Sequence, residues 1–504
     1  MYGFLTVTVA IILTLANSSN YLAGVVRTRP GEVYLGTTHY FEDYFLYLSQ
    51  FVQGAQGFWL TRNLYTSEAT PASILFWPNV LLGKLGGLLG LTPMVSYNLS
   101  IIFITFITII TMYSLQRRIF SGRPLQAFIA FLIAATATSF MNRIWVNGQP
   151  MWYPFQQWKT PNLALDRLGG VPHQLVQTLL FYLLVSVYFF AQKRKRIVFF
   201  VLITLLTTLN PVMSGLFLVS LWAIGRREVV ATVVYSVTAF FYNSLTNAQP
   251  HIQSKLWEAG QQSATTPLFM LLSIGPVAIL GIIGAWSALR RGARPIERFS
   301  MLLLAVSYLL YFSRVPAIIG VSNSRVLFPA MYAAWGILGA LALPASKKIA
   351  ALVLGVFLLL TIPTIRWEVQ QKLLVKPEER IPLLYLPSDV YAAFTYLRSQ
   401  DSFDDVVLAN PASHMDAMVP ALGGHTGYTG HPFATIDGGR KRSEALRFFR
   451  MEMPADQAIG WLRRNNIRYV LYTALDGDLM QFRRVYPFVR PIKSTGAGAI
   501  IEIL

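Results

Sequence analysis

Apolar runs recur along most of the chain, and each approaches the length of a membrane-spanning helix, roughly 20 residues. They fall near residues 2–22, 95–116, 124–140, 173–192, 228–243, 267–289, 298–313, 325–343 and 347–366. A further apolar stretch at 197–224 is interrupted by Asn210-Pro211, and because proline breaks a helix we expect a hairpin of two short helices there. The pattern predicts an α-helical polytopic membrane protein with about 11 transmembrane helices.

Short clusters of Lys and Arg separate the apolar runs. They are Arg117, Arg118 and Arg123; residues 193–196; Arg226 and Arg227; Arg290, Arg291, Arg294 and Arg298; and Lys347 and Lys348. Cytoplasmic loops carry an excess of Lys and Arg, and all of these clusters fit one side of the membrane if the amino terminus is inside. The loops at 23–94 and 141–172 and the tail after residue 366 are then expected outside.

Two segments near the amino terminus need separate interpretation. Residues 70–92 are apolar, but proline interrupts them and glycine dilutes them, so we expect a helix in the membrane interface on the outer side rather than a crossing. Residues 1–18 have an alternative interpretation as a cleaved signal peptide, although they lack the Lys or Arg of its n-region. That alternative leaves the sidedness of the remaining chain unchanged.

The sequence pattern changes after Arg366, where charge density rises. Apolar residues recur with the periodicity of a helix at 389–399, 440–451 and 455–465. Short apolar runs typical of strands occur at 405–409, 467–472 and 499–503. Strands that alternate with helices predict a small α/β domain. The expected division is a transmembrane domain at 1–366 and an extracytoplasmic α/β domain at 367–504.

Composition agrees with this class and removes several others. Hydrophobic residues make up 54% of the chain and charged residues 13%, with a mean hydropathy of +0.47. The absence of cysteine excludes disulfides, thiolate metal sites and cysteine nucleophiles. A net charge of +19 would suit nucleic acid, but the basic residues lie in short clusters between apolar runs, so we expect membrane lipids and no nucleic-acid partner.

The loop at 23–94 contains a run of acids and aromatics, His39-Tyr40-Phe41-Glu42-Asp43-Tyr44. Ionised groups close to hydrocarbon are costly, so an acid pair at this place indicates function. The alternative is that Glu42 or Asp43 stabilises the amino terminus of a helix at 44–57 through the helix dipole. The run points to chemistry at one face of the membrane.

The order of segments resembles the GT-C superfamily of membrane glycosyltransferases, including its mannosyltransferase-like and aminoarabinose-transferase-like members. The shared features are a first membrane helix, a long outer loop opening with Tyr40-Phe41-Glu42-Asp43-Tyr44, an interfacial helix rich in Pro and Gly, and about ten more crossings. In the tail, residues 422–425, 428–433 and 468–471 are similar to those of many bacterial members. The resemblance implies transfer of a sugar from a polyprenyl-phosphate carrier to a glycan, lipid or protein acceptor at the outer face of the cytoplasmic (inner) membrane.

This reaction needs a carboxylate to accept the proton of the acceptor and cationic groups to hold the departing phosphate. We favour Asp43 as the general base and helix stabilisation as the role of Glu42, which stays a second catalytic candidate. Asp166 in the loop at 141–172 is a third, with pairing to Arg167 as its alternative role. His39 is a candidate for orienting Asp43 and for binding substrate.

Other substrate-binding candidates lie in the predicted outer loops. Arg143, Trp152 and Lys159 belong to the tryptophan-rich loop at 141–172, where aromatic faces can stack on sugars or can simply anchor the loop at the interface. Arg314 and Arg325 flank the loop at 314–325, where they can clamp a lipid phosphate or snorkel from helix ends.

The sequence predicts no metal site, because the six histidines are scattered and form no ligand-spaced pair. Some GT-C members use a divalent cation, and the resemblance therefore leaves open a cation shared by Glu42, Asp43 and Asp166.

Two further function classes stay open: a transporter or flippase of lipid-linked sugars, with Asn210-Pro211 as its helix break, and a non-catalytic membrane scaffold. Neither half of the sequence shows an inverted repeat of the other, and the long loops and the tail are predicted on one side. These features favour catalysis at the membrane surface.

Overall fold

The computed structural model describes residues 2–157, 160–191, 195–249, 251–344, 346–400 and 404–503. The chain divides into two compact units. The first unit comprises residues 1–19, 101–244 and 255–374, and the second comprises residues 20–100, 245–254 and 375–504. The domain division at residue 367, which rests on composition, stays a prediction.

Most of the chain up to residue 374 is helical. Its α-helices are Tyr2–Asn17, Ser19–Val26, Phe41–Ala55, Trp77–Leu88, Pro93–Ile119, Pro124–Thr136, Ala164–Arg167, Pro172–Phe190, Lys195–Thr207, Pro211–Ala223, Val229–Asn247, His251–Gly260, Pro267–Ile274, Pro276–Arg290, Pro295–Tyr311, Val315–Ile318, Tyr332–Leu341 and Lys347–Leu373. Short 3₁₀ turns occupy Asn323–Val326 and Pro329–Met331. Helices therefore lie at all the apolar segments that the sequence pattern predicts.

Five of the described helical segments are long and apolar enough to cross a membrane. They are Pro93–Ile119, Pro172–Phe190, Val229–Asn247, Asn323–Leu341 and Lys347–Leu373. Two bent helix pairs, at 2–26 and 267–290, raise the number to 7 if each pair is one span. The chain thus has the helices of a multi-pass membrane protein, and the count of about 11 crossings stays a prediction.

The predicted hairpin at 197–224 is confirmed as two helices, Lys195–Thr207 and Pro211–Ala223. Asn210 caps the second helix, because its side-chain oxygen accepts a hydrogen bond from the backbone N–H of Met213 at 3.0 Å. Pro211 follows at the first helical position, where a missing N–H costs nothing. The Asn-Pro pair therefore separates the two helices by ending one and starting the next.

In the second unit, two helices approach each other closely through glycines. The acid helix, Phe41–Ala55, carries Glu42 and Asp43, and the glycine helix, Trp77–Leu88, is the helix expected within 70–92. A Cβ added at Gly54 would lie 2.1 Å from the carbonyl oxygen of Val80, and one added at Gly83 would lie 2.3 Å from that of Phe51. Glycine is required at these contacts because the backbones themselves touch.

The tail contains the predicted α/β fold. Its sheet has the spatial order Thr426–Gly427, Val406–Ala409, Ile467–Thr473, Gly498–Ile503 and Val489–Thr495. The first three strands are parallel and the last two pair antiparallel. The α-helices of the tail are Pro377–Glu379, Ser388–Arg398, Met415–Met418, Gly438–Phe449, Ala455–Arg464 and Leu479–Val485. An apolar core on one side of the sheet includes Phe448, whose ring stacks on that of Tyr486 at 4.8 Å.

The long loop after the first helix and the tail form one body in the second unit. Strand Glu32–Tyr34 pairs antiparallel with strand Tyr385–Pro387, and Arg380 bonds to Glu32 at 2.5 Å. Further along, the backbone N–H of Gly427 donates to the carbonyl of Leu64 at 2.8 Å. The acid helix is therefore built into the same compact unit as the α/β tail.

Candidate active site

The acid pair lies in the first turn of the acid helix, where the helix dipole favours negative charge. The N-cap residue is Tyr40, and among the described residues its side chain makes no capping hydrogen bond. Its hydroxyl instead donates to Oε2 of Glu42 at 2.8 Å. The carboxylate of Asp43 is 49% exposed, so it is accessible to a substrate.

His431 from the tail faces Asp43. Nε2 of the imidazole lies 3.8 Å from Oδ1 of Asp43, and the His431 side chain is only 5% exposed. Its other nitrogen, Nδ1, accepts hydrogen bonds from the backbone N–H groups of Phe433 and Ala434, each at 3.1 Å. Because Nδ1 is an acceptor, Nε2 carries the ring proton. The nitrogen nearest Asp43 is therefore a hydrogen-bond donor.

The loop that follows the acid helix holds this part of the tail in place. The side-chain amide of Asn63 donates to the carbonyl of Ala434 at 2.7 Å, and the hydroxyl of Thr435 donates to the carbonyl of Tyr65 at 2.7 Å. Lys441, whose side chain is 1% exposed, donates to Ser67 at 2.9 Å and Glu68 at 2.6 Å. These contacts fix His431 relative to the acid helix.

His39 is the residue that the sequence suggested for orienting Asp43, and that role stays a prediction. Its Nε2 is 2.8 Å from the hydroxyl of Tyr97, and the rings of Tyr44 and Tyr47 lie beside it. An imidazole in ion-pair range of Asp43 is that of His431, which the sequence analysis noted only within residues 428–433 and among the scattered histidines. Its position depends on how the tail folds, and no local pattern encodes that.

A second residue that sequence reasoning missed is Asp416. It is 3% exposed, its Oδ1 accepts from the backbone N–H of Ala417 at 2.9 Å, and among the described residues Oδ2 has no hydrogen-bond partner. Burial raises the pKa of Asp416 to about 6, nearby Glu42 adds to the rise, and Arg442 opposes it. The sequence feature that could have revealed Asp416 is its position as a lone acid inside the apolar run 415–422.

His414 lies beside the acid helix as well. It adopts a left-handed backbone conformation, with φ of 59°, and its ring meets that of Phe41 edge-on at 4.9 Å. Burial lowers the pKa of His414, and Arg442 lowers it further. The start of the acid helix thus has two imidazoles and a buried carboxyl from the tail around it.

The remaining catalytic candidate, Asp166, belongs to the first unit. It lies in the short helix Ala164–Arg167, where its side chain is exposed. The buried carboxylate of Glu368 accepts the backbone N–H groups of residues 164–166 at 2.9 to 3.1 Å. Arg167 is buried, donates to the carbonyl of Ala137 at 2.7 Å, and lies 3.6 Å from the ring centroid of Tyr332. Asp166 is therefore presented by a rigidly held turn.

Arg143 and Trp152 lie directly opposite each other on a β-hairpin. The hairpin pairs Met141–Val146 with Gln149–Pro154, and its turn, Asn147-Gly148, has positive φ at both residues. An Asn-Gly pair of this kind indicates a two-residue hairpin, a signal that the sequence analysis did not use. Both side chains are exposed. Lys159 lies outside the described residues.

The two arginines predicted as phosphate clamps have different surroundings. Arg314 is exposed at the start of the short helix Val315–Ile318. Arg325 bonds to both oxygens of Glu258, at 2.5 and 2.9 Å. Its guanidinium is therefore engaged by a carboxylate that precedes it by more than sixty residues.

The described residues contain no group of three or more His, Asp or Glu side chains arranged to hold a metal ion. The divalent cation that the resemblance left open for Glu42, Asp43 and Asp166 stays a prediction. We derive no chemical step through a metal.

The chain combines membrane-length helices, an acid-bearing first loop and an α/β tail. No protein-family model and no curated protein sequence matches the chain. Its fold is similar to that of the oligosaccharyltransferase of Archaeoglobus fulgidus in the apo form, with a TM-score of 0.55 and 12% identity over 93% of this chain and 69% of that one.

The arabinofuranosyltransferase AftD from Mycobacteria gives a TM-score of 0.52 and 15% identity, over 99% of this chain and 41% of its own length. At such identities the likeness shows the fold alone. The chain therefore shares the fold of these two solved transferases.

Proposed function

We propose that this protein is a membrane glycosyltransferase that moves a sugar from a polyprenyl-phosphate carrier to an acceptor, with Asp43 as general base. The observation that carries the proposal is the position of Asp43. Its half-exposed carboxylate lies at the start of the acid helix, and Nε2 of the buried His431 ring lies beside it. A half-exposed carboxylate suits proton abstraction from a bound hydroxyl.

Two of the structural neighbours support the choice of substrates. The archaeal oligosaccharyltransferase AglB has been solved in complex with an inhibitory peptide and a dolichol-phosphate, with a TM-score of 0.52 to this chain. AftD is named as an arabinofuranosyltransferase. We extend a lipid-phosphate donor to this chain by analogy of fold, and leave glycan, lipid and protein as acceptor classes.

The acceptor oxygen forms a bond to the anomeric carbon of the sugar, and its proton moves to the carboxylate of Asp43. The bond between that carbon and the carrier phosphate oxygen breaks, and its electron pair leaves with the polyprenyl phosphate. Arg314 and Arg325 stay the predicted ligands of the leaving phosphate.

The proposal also assigns sides. We place the loops at 23–94 and 141–172 and residues 367–504 outside the cytoplasmic membrane, with about 11 crossings and all the basic clusters inside.

The test is transfer of radiolabelled sugar in proteoliposomes from a panel of polyprenyl-phosphate sugars. Loss of a positioned base lowers a rate by about 10² to 10⁴, so Asp43→Asn is expected to lose at least a hundredfold while Glu42→Gln keeps most activity. Both variants must match wild type in thermal stability. Retained activity in Asp43→Asn would refute the base assignment, and Asp166→Asn would then identify whether the first unit supplies the base.

A further inference from the structure

The imidazole of His431 has only one free direction. Its Nδ1 is occupied by the backbone N–H groups of Phe433 and Ala434, at 3.1 Å each, so that nitrogen neither donates nor turns toward a substrate. The remaining nitrogen, Nε2, lies 3.8 Å from Oδ1 of Asp43. The two contacts define a line from the tail backbone through the ring to the carboxylate.

The turn that carries this ring is held at several points. The backbone N–H of Thr435 donates to the carbonyl of His431 at 3.0 Å, and the N–H of His431 donates to the hydroxyl of Thr435 at 3.2 Å. The ring also meets that of Tyr65 edge-on at 5.9 Å. With the side chain 5% exposed, the ring cannot rotate away without breaking the turn.

We propose that His431 is a positioning residue for the general base: its Nε2–H holds one oxygen of Asp43 and directs the other oxygen to the acceptor hydroxyl. This inference rests on the proposed function, because it requires Asp43 to be the base. The separation of 3.8 Å exceeds a hydrogen bond, and it shortens when the acceptor draws the carboxylate into line, as catalytic hydrogen bonds do on substrate binding.

The same geometry excludes a relay role for His431. A relay needs one ring nitrogen to accept a proton while the other gives one up, and here Nδ1 already accepts two backbone N–H groups. The proton taken by Asp43 therefore passes from the half-exposed carboxylate to water. His431 acts on the orientation and charge of Asp43 and does not itself carry the proton.

A structural role is the competing explanation, since the ring also satisfies two backbone groups. Two substitutions separate these contributions. In His431→Asn, the side-chain oxygen replaces Nδ1 as acceptor for Phe433 and Ala434, but the side chain has no donor at the place of Nε2. In His431→Gln, the amide nitrogen extends to about the place of Nε2, while the acceptor at Nδ1 is lost.

The experiment measures kcat, KM for the acceptor, and Tm of the purified full-length protein with each substitution. A hydrogen bond to a charged group changes a rate by about 10- to 100-fold, so His431→Asn is expected to lose kcat by that factor with little change in KM or Tm. His431→Gln is expected to lower Tm and retain more kcat than His431→Asn. The matched control is His425→Asn, at a buried tail histidine that bonds to the carbonyl of Leu397.

Wild-type kcat in His431→Asn overturns the proposal, and so does a loss of kcat that follows Tm across all three variants. Failure of the proposed function is distinguishable, because Asp43→Asn would then stay active. If Asp43→Asn is inactive and His431→Asn is fully active, only the positioning role of His431 fails.

Discussion

The buried carboxyl of Asp416 gives a stability prediction that can be worked through in sign and size. Its pKa in the folded protein is about 6, against a usual value of 3.8. The folded state therefore binds the proton more tightly than the unfolded state, so unfolding free energy falls as pH rises from about 4 to 6. A difference of about two pH units corresponds to about 3 kcal/mol, lost in full above pH 6.

The substitution that isolates this effect is Asp416→Asn. Asparagine stays neutral at every pH, and its side-chain oxygen can keep the bond to the N–H of Ala417. We expect the variant to match wild type near pH 4 and to exceed it by up to about 3 kcal/mol at pH 7.5. The assay is Tm in detergent micelles from pH 4 to pH 8, in which the difference should grow to a few degrees and then level off.

The control is Asp456→Asn, because the side chain of Asp456 is exposed in the first turn of helix Ala455–Arg464. Its difference from wild type should show no comparable rise. If Asp416→Asn differs from wild type by the same amount at pH 4 and pH 7.5, the reasoning from burial is wrong. A variant less stable than wild type at pH 7.5 would refute it as well.

Two further predictions test the second unit. Lys441→Met should lower the unfolding free energy by about 2 kcal/mol, because it leaves Glu68 and two hydroxyls without their buried donor. Thermal melts measure the change, and Lys493→Met, at an exposed site, is the control that should change little. Equal melting temperatures of the two variants would contradict the prediction. The chain has no cysteine, so a single introduced cysteine reports its own side of the membrane. Ser494→Cys in the tail should react with an impermeant maleimide on intact cells, whereas Ser121→Cys, beside a basic cluster, should not. The reverse pattern would place the tail inside.

Local patterns were sufficient for features that depend on neighbours in sequence. The break at Asn210-Pro211 follows from capping and from the missing proline N–H, and the tail helix Ala455–Arg464 follows from its apolar period. The strand Val489–Thr495 was missed because it is a sheet edge containing Pro491 and Lys493, whose side chains do not follow a buried alternation. An edge strand lacks the pattern that marks a central one.

The candidate site depended on contacts that a local pattern does not contain. Asp43 was singled out by its acid-rich surroundings, but its partner His431 is almost four hundred residues later in the chain. Arg325 was expected as a phosphate ligand, and the structure pairs it with Glu258. Both pairings are decided by tertiary folding, which the sequence spacing of charges does not reveal.

The construction of the second unit has a consequence for how this protein is made. The acid helix is synthesised within the first sixty residues, whereas the turn that carries His431 and the Lys441 anchor comes from the last hundred. During translation the early loop therefore stays without its tail contacts until nearly the whole chain has been synthesised. Long-range closure of this kind is slow, so the nascent protein has a period in which Asp43 exists without its partners. A ribosome that stops before the tail leaves a membrane-inserted chain with an unfinished site.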